Sequence, residues 1–151
     1  RQMCIRDSHS AAVLCGATTE QAEALRTFGD HLGVAFQLVD DLLDYRGDAE
    51  TLGKNVGDDL AEGKPTLPLI YTMREGTPEQ AALVRKAIQK GGIEDLEAIR
   101  AAVEASGSLE YTAQLARDYA ARAIQCLEAL PPSEYRDALV ELSEFAVART
   151  H

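Results

Sequence analysis

The sequence has no tryptophan, and aromatic residues occupy only 5% of its 151 positions. Runs of β-branched and aromatic residues are scarce, whereas alanine, leucine and glutamate are abundant, which favours helices over strands. Its three cysteines lack CxxC spacing, so a disulfide framework is not expected and the thiols fit a reducing, cytoplasmic environment. The composition predicts an all-α protein with one domain-sized core.

Basic residues are also few, with 15 Lys and Arg against 25 Asp and Glu and a formal net charge of −10. Nucleic-acid binding needs a basic surface, so we expect no nucleic-acid partner. A transmembrane helix needs roughly 20 consecutive apolar residues, and Asp40 interrupts the best apolar run. We therefore expect no transmembrane segment.

A cluster of acids, DDLLD at residues 40–44, directly follows that apolar run. On a helix, Asp40 and Asp44 lie about 40° apart around the axis and roughly 6 Å apart along it, with Asp41 beside them and Gln37 on the same stripe. Hard oxygen ligands of this kind suit Mg²⁺, which prefers one or two carboxylates together with phosphate oxygens of a substrate. The alternative interpretation is a solvated acidic helix end.

The next segment, residues 53–68, contains three glycines and is predicted to be a loop. It carries Lys54 and Lys64, which could reach the residual negative charge of a metal-bound diphosphate, with Lys54 the first candidate and Lys64 the second. Taken singly, either lysine is equally explained as a surface cation that balances nearby acids.

These motifs together resemble the second aspartate-rich region of the trans-polyprenyl diphosphate synthases, most fully the bacterial long-chain type. The similarity joins residues 36–44 to GDDLAEGKPTLPL at residues 57–69 and continues through most of the chain after residue 9. It implies the C-terminal part of a multi-helix isoprenoid synthase bundle whose N-terminal helices are missing.

The resemblance also implies an activity. In that family a Mg²⁺-dependent prenyltransferase condenses an allylic prenyl diphosphate with isopentenyl diphosphate, and the family is dimeric. The implied product is a long-chain all-trans polyprenyl diphosphate, of octaprenyl length, for isoprenoid and quinone side-chain biosynthesis. The implied partners are thus the two diphosphates and, in the full-length protein, a second copy of the chain.

The site residues carry over position by position. Asp40 is implied as the principal metal ligand, with Asp41 and Asp44 contributing directly or through metal-bound water. Gln37 and Lys54 are implied to contact the allylic diphosphate. We therefore expect Asp40, Asp44 and Lys54 to be catalytic. We add Lys64 to the diphosphate contacts because of its place beside the motif.

The chain departs from the family in two respects. It contains a single DDxxD motif, whereas the family has two, so we expect the chain to be inactive by itself. Its first residues, RQMCIRDS, match nothing in the family and can be encoded by the ends of a transposon-derived sequencing adapter. We predict that residues 1–8 are a non-native head and residues 9–151 the C-terminal portion of a single synthase domain.

Two other functions remain open. The first is a noncatalytic partner subunit of a heteromeric prenyl synthase, which the intact Asp40, Asp44, Gln37 and Lys54 disfavour. The second is a terpene cyclase of the same fold, which the DDLLD motif and the GKPTLP loop disfavour.

Capping signals predict where the main helices begin. Thr18 and Gln21 have capping-box spacing and open a helix to about Tyr45, and Thr77 and Gln80 open another. Further helices are predicted over residues 66–74, 93–105, 108–129 and 133–148. The first long helix should bury one face, formed by Leu25, Phe28, Leu32, Ala35, Phe36, Val39 and Leu43, beside its polar face.

Overall fold

The computed structural model describes residues 2–46, 57–90 and 95–148, and within these ranges helices account for all regular secondary structure. The all-α prediction is confirmed. The helices are α1 (Gln2–Leu14), α2 (Thr19–Arg46), α3 (Asp58–Ala61), α4 (Leu67–Glu75), α5 (Pro78–Lys90), α6 (Leu96–Ala105), α7 (Ser108–Cys126) and α8 (Glu134–Ala148), with a 3₁₀ turn at Leu127–Ala129.

The start of α2 is fixed by the predicted capping box. The backbone N–H of Thr18 donates to Gln21 Oε1 at 3.1 Å, and the backbone N–H of Gln21 donates to Thr18 Oγ1 at 3.2 Å. These reciprocal bonds satisfy backbone donors that a helix start leaves without intrahelical partners. They set the beginning of the helix that carries the acidic cluster.

A second capping box opens α5. Thr77 N–H donates to Gln80 Oε1 at 2.8 Å, and Gln80 N–H donates to Thr77 Oγ1 at 3.3 Å. Pro78 occupies the first helical position, where its missing N–H costs nothing and its fixed φ suits a helix. Both sequence-based capping predictions are confirmed.

The other predicted helices are confirmed to within a few residues at each described end. The loop predicted for residues 53–68 is wrong at residues 58–61, which form the short helix α3. Glycine content indicated a loop, but Asp58 and Asp59 in the first turn favour a helix start, where negative charge meets the positive end of the helix dipole.

Residues 1–39 and 114–151 form one compact unit. Its apolar cluster centres on Phe28, Ala123 and Leu127. In the same unit α1 passes close to α2 at Gly29, where an added Cβ would lie 2.5 Å from the carbonyl oxygen of Cys4. Residues 2–8 are thus part of α1, and the non-native origin of residues 1–8 stays a prediction.

Residues 40–113 form the second compact unit. Its core joins the end of α2 to the helices that follow, and its buried members are Tyr45, Leu60, Leu69, Val84, Ala87, Ile99 and Val103. Leu60 is the buried residue of α3. The end of α2, through Tyr45, therefore shares one hydrophobic core with α3 and α4.

The predicted buried face of α2 is correct for Phe28, Ala35 and Val39 but wrong for Phe36, which is 50% exposed. Leu42 is fully buried instead. The positions of Phe28, Ala35, Val39 and Leu42 follow each other at helical spacing along one stripe, and Phe36 lies about 100° away from Ala35. The buried stripe is thus rotated from the predicted one.

Within residues 2–46, 57–90 and 95–148, no helix is both long enough and apolar enough to cross a bilayer.

Removal of the Thr18 hydroxyl should destabilise the chain. We expect Thr18→Ala to lower the free energy of unfolding by about 1 kcal/mol, because the N–H of Gln21 loses its acceptor. Urea denaturation followed by circular dichroism measures this. Thr19→Ala, one residue further on, is the matched control, because Thr19 makes neither of the two capping-box bonds. Equal losses for the two variants would contradict the capping role.

Candidate functional site

The three carboxylates of the acidic cluster differ in their surroundings although they lie within one and a half turns of α2. We call residues 40–44 the carboxylate turn. Asp40 and Asp44 are partly exposed, whereas only 9% of Asp41 is exposed. Asp40 and Asp44 therefore share the accessible side of the helix, as the sequence predicts for residues four apart.

The carboxyl group of Asp44 has a raised pKa. Burial, and then the negative charge of Asp59, raise its pKa, whereas hydrogen bonds from the backbone N–H groups of Asp59, Gly57 and Asp58 lower it; the net result is a pKa of about 6. Its Oδ2 atom is buried and finds no hydrogen-bond partner among the described residues. A buried acceptor without a donor is costly unless something else binds it.

The start of α3 is built around Asp44. Gly57 N–H donates to the backbone carbonyl of Asp44 at 3.2 Å, and the same turn supplies the amides that face the Asp44 carboxylate. Gly57 has φ +87°, and an added Cβ would lie 2.7 Å from Leu96 Cδ1. Only glycine combines this backbone conformation with this close approach.

Lys64 is paired within its own loop. Its Nζ lies 2.6 Å from Glu62 Oε2 and 3.0 Å from Asp59 Oδ1, and these two carboxylates raise the pKa of Lys64. Asp59 is thus shared, since its charge also acts on Asp44. The structure brings Lys64 to the vicinity of Asp44 through one intervening carboxylate.

The remaining predicted site residues stand as follows. Gln37 is exposed, one helical turn before Asp40 on α2. Lys54 lies outside the described residues, and its predicted role stays a prediction. Among the predicted site residues, the structure links Asp44 to Lys64 through Asp59, and Asp40 lies one turn before Asp44 on α2.

The residues present suit Mg²⁺. No group of three or more His, Cys, Asp or Glu side chains in the described ranges is arranged to hold a metal by itself. Mg²⁺ does not require such a cage, because it keeps several waters and takes one or two carboxylates together with phosphate oxygens. The carboxylate turn offers carboxylates of that kind, and the Oδ2 of Asp44 is an acceptor without a hydrogen-bond partner among the described residues.

Three residues of this region were not predicted to matter. Asp59 links Asp44 to Lys64, and Tyr45 donates or accepts a hydrogen bond with Thr66 across 3.3 Å. Tyr45 directly follows the DDLLD motif, so its position was visible in the sequence. Its partner was not, because the bond spans 21 residues.

Replacement of Asp44 by its neutral isostere should stabilise the metal-free chain at neutral pH. The pKa of Asp44 rises from 3.8 to about 6 on folding, so the native state binds more protons than the unfolded state between these values. Stability therefore falls as pH rises from about 4 to about 6. After allowance for partial exposure, we expect Asp44→Asn to add about 1–2 kcal/mol of unfolding free energy at pH 7.5.

Urea denaturation in EDTA at pH 7.5 and pH 4 measures this difference, which should shrink toward the lower pH. Glu104→Gln, on the exposed face of α6, is the control and should change stability at neither pH. If Asp44→Asn instead lowers the free energy of unfolding equally at both pH values, the ionised Asp44 carboxylate does not destabilise the folded chain.

The sequence of this chain is similar to those of known proteins. The sequence profile described as polyprenyl synthetase matches residues 4–106. Octaprenyl diphosphate synthase of Escherichia coli (strain K12) is 52% identical over 140 residues, which cover 92% of this chain and 43% of that protein. All-trans-nonaprenyl-diphosphate synthase (geranyl-diphosphate specific) of Rhodobacter capsulatus is 51% identical over 142 residues, covering 94% and 43%.

The fold agrees with these relatives. The crystal structure of polyprenyl synthase from Caulobacter crescentus CB15, complexed with calcium and isoprenyl diphosphate, matches with a TM-score of 0.88 and 43% identity, and the match covers 97% of this chain and 45% of that one. This chain thus spans less than half the length of each of these three relatives. Sequence and fold lead to the same conclusion: the chain belongs to the polyprenyl synthetase family.

Proposed function

We propose that the protein to which this chain belongs is a Mg²⁺-dependent prenyltransferase that condenses an allylic prenyl diphosphate with isopentenyl diphosphate. Its product would be a long-chain all-trans polyprenyl diphosphate. Relatives named as octaprenyl, nonaprenyl and decaprenyl diphosphate synthases support this substrate class. The observation that carries the proposal is the carboxylate turn, with the unpartnered Oδ2 atom of Asp44, in a chain that matches the family over residues 4–106.

Asp40, Asp41 and Asp44 are the residues that would hold Mg²⁺. When bound, the metal would neutralise the diphosphate as it leaves the allylic carbon. Asp40 and Asp44 are the accessible carboxylates, so we assign them the direct contacts. Asp41 is buried, so we assign it an indirect contribution.

The cationic and amide side chains would bind the diphosphate oxygens that the metal leaves free. Lys54 and Gln37 are assigned to the allylic diphosphate. Lys64 is already paired with Asp59 and Glu62, so a diphosphate must compete with two carboxylates for it. Lys54 is therefore the stronger candidate, and Lys64 has the additional task of compensating the charge of Asp59.

The remaining features of the proposal follow the similarity to the bacterial synthases. At 52% identity to an octaprenyl diphosphate synthase, we propose octaprenyl as the product length. We further propose a homodimeric, cytoplasmic enzyme that serves isoprenoid and quinone side-chain biosynthesis. The 151-residue chain by itself is expected to be inactive.

Removal of the Asp40 carboxylate should abolish most turnover. In the complete synthase, we expect Asp40→Ala to lower kcat by a factor of about 10² or more, because the metal loses its principal ligand while charge develops on the leaving group. Steady-state assays with Mg²⁺, an allylic primer and isopentenyl diphosphate, with product-length analysis, measure this. Asp118→Ala, an exposed acid on α7, is the control. Wild-type turnover of Asp40→Ala would remove the metal role.

The two lysines should respond differently. We expect Lys54→Ala to raise the KM for the allylic diphosphate more than Lys64→Ala does, because Lys64 is held by two carboxylates. Each change should raise the KM for isopentenyl diphosphate less than it raises the KM for the allylic diphosphate. Initial-rate kinetics with each substrate varied in turn measure this, with Lys86→Ala on α5 as the control. A larger effect on isopentenyl diphosphate would assign Lys54 to the other substrate pocket.

A further inference from the structure

Residues 57–66, which carry Lys64, are attached at both ends to the last turn of α2. We call them the Lys64 segment. At its start, Gly57 bonds the backbone of Asp44. At its end, the hydroxyl of Thr66 lies 3.3 Å from that of Tyr45. The two anchors on α2 are consecutive residues, so the segment closes on the helix directly after the carboxylate turn.

The bond between Tyr45 and Thr66 is buried. Only 3% of Tyr45 and 7% of Thr66 are exposed, and the Tyr45 ring packs in the same core as Leu60 and Leu69. The packed ring fixes the position of the Tyr45 hydroxyl, and because the site is buried, water cannot easily replace Thr66 as its hydrogen-bond partner. A buried hydroxyl without a partner would lose more free energy than an exposed one.

Thr66 is the N-cap residue of α4, yet its side chain makes no capping bond to the first turn of that helix, all of which is described. Threonine at this position ordinarily caps through its hydroxyl. Here the hydroxyl contacts Tyr45 instead. The Thr66 hydroxyl therefore does not cap α4 but bonds Tyr45, and so joins the Lys64 segment to α2.

Inside the segment, short contacts connect Lys64 to Asp59 and to Thr66. Its backbone N–H donates to the carbonyl of Asp59 at 2.9 Å, and its carbonyl accepts the N–H of Thr66 at 3.0 Å. Its Nζ lies 3.0 Å from Asp59 Oδ1. A displacement of Thr66 would therefore be transmitted to Lys64 through a single intervening residue.

We propose that Tyr45 is a positioning residue for diphosphate binding: its hydroxyl holds Thr66 and thereby fixes Lys64 beside the carboxylate turn. This inference rests on the proposed function for its diphosphate ligand. The bond itself is a property of this chain and can be tested without substrate.

The first test measures backbone protection. We expect Tyr45→Phe, which keeps the ring and removes the hydroxyl, to lower hydrogen-exchange protection of peptides covering residues 57–66 by about 3–10-fold, in line with the loss of one hydrogen bond. Thr66→Val should do the same, and Thr66→Ser should restore wild-type protection. Tyr111→Phe, on an exposed ring of the same unit, is the control and should leave protection unchanged.

The second test uses the complete synthase. We expect Tyr45→Phe to raise the KM for the allylic diphosphate about 3–10-fold with kcat within about twofold, and the Tyr45→Phe/Thr66→Val double variant to be no worse than either single variant. Unchanged protection in Tyr45→Phe would overturn the proposal. So would lost protection with an unchanged KM, since the bond would then be structural only.

The two proposals fail in different ways. Absence of synthase activity in the unsubstituted complete protein would overturn the proposed function and with it the diphosphate role of Tyr45. The exchange experiment would still decide whether the Tyr45 hydroxyl holds the Lys64 segment. Additive losses in the double variant would show that the two hydroxyls act independently, contrary to the proposal.

Discussion

The rest of this region depends on the carboxylate of Asp44 at the end of α2, which is partly removed from water and repelled by the charge of Asp59. Asp44 lies partly buried beside Asp59, which raises its pKa, and its Oδ2 lacks a partner in the described part of the chain. The protein offsets this cost in part with backbone N–H groups from the start of α3 and with Lys64, which pairs with Asp59. The negative charge of Asp44 that these groups leave uncompensated suits a site that binds a cation.

The same short stretch of α2 also belongs to the hydrophobic core. Leu42 and Tyr45 are buried, and Tyr45 packs against the core to which α3 and α4 contribute Leu60 and Leu69. Packing thus holds the carboxylate turn rigidly, because the helix cannot shift without disturbing a close-packed interior. A desolvated carboxylate on a well-packed helix would keep its oxygen atoms in place for the Mg²⁺ that we propose.

Much of the fold was predictable because its determinants are local. The capping boxes at Thr18 and Thr77 depend on residues three positions apart, and both formed as predicted. Phe36 was misassigned because helical spacing identifies a stripe only approximately, and the packing partners decide which edge of that stripe is buried. Helix α3 was missed because glycine content outweighed the local signal of Asp58 and Asp59, and because the bonds between its first amides and Asp44 join residues that are distant in sequence.

By itself, the sequence determined the all-α class, the main helix starts and the placing of Asp40 and Asp44 on one side of α2, since these follow from composition and from spacing along one helix. Only the tertiary structure decided that Asp44 is desolvated, that Asp59 stands between it and Lys64, and that Tyr45 meets Thr66. Such contacts join residues brought together by core packing, and spacing along the chain carries no information about them.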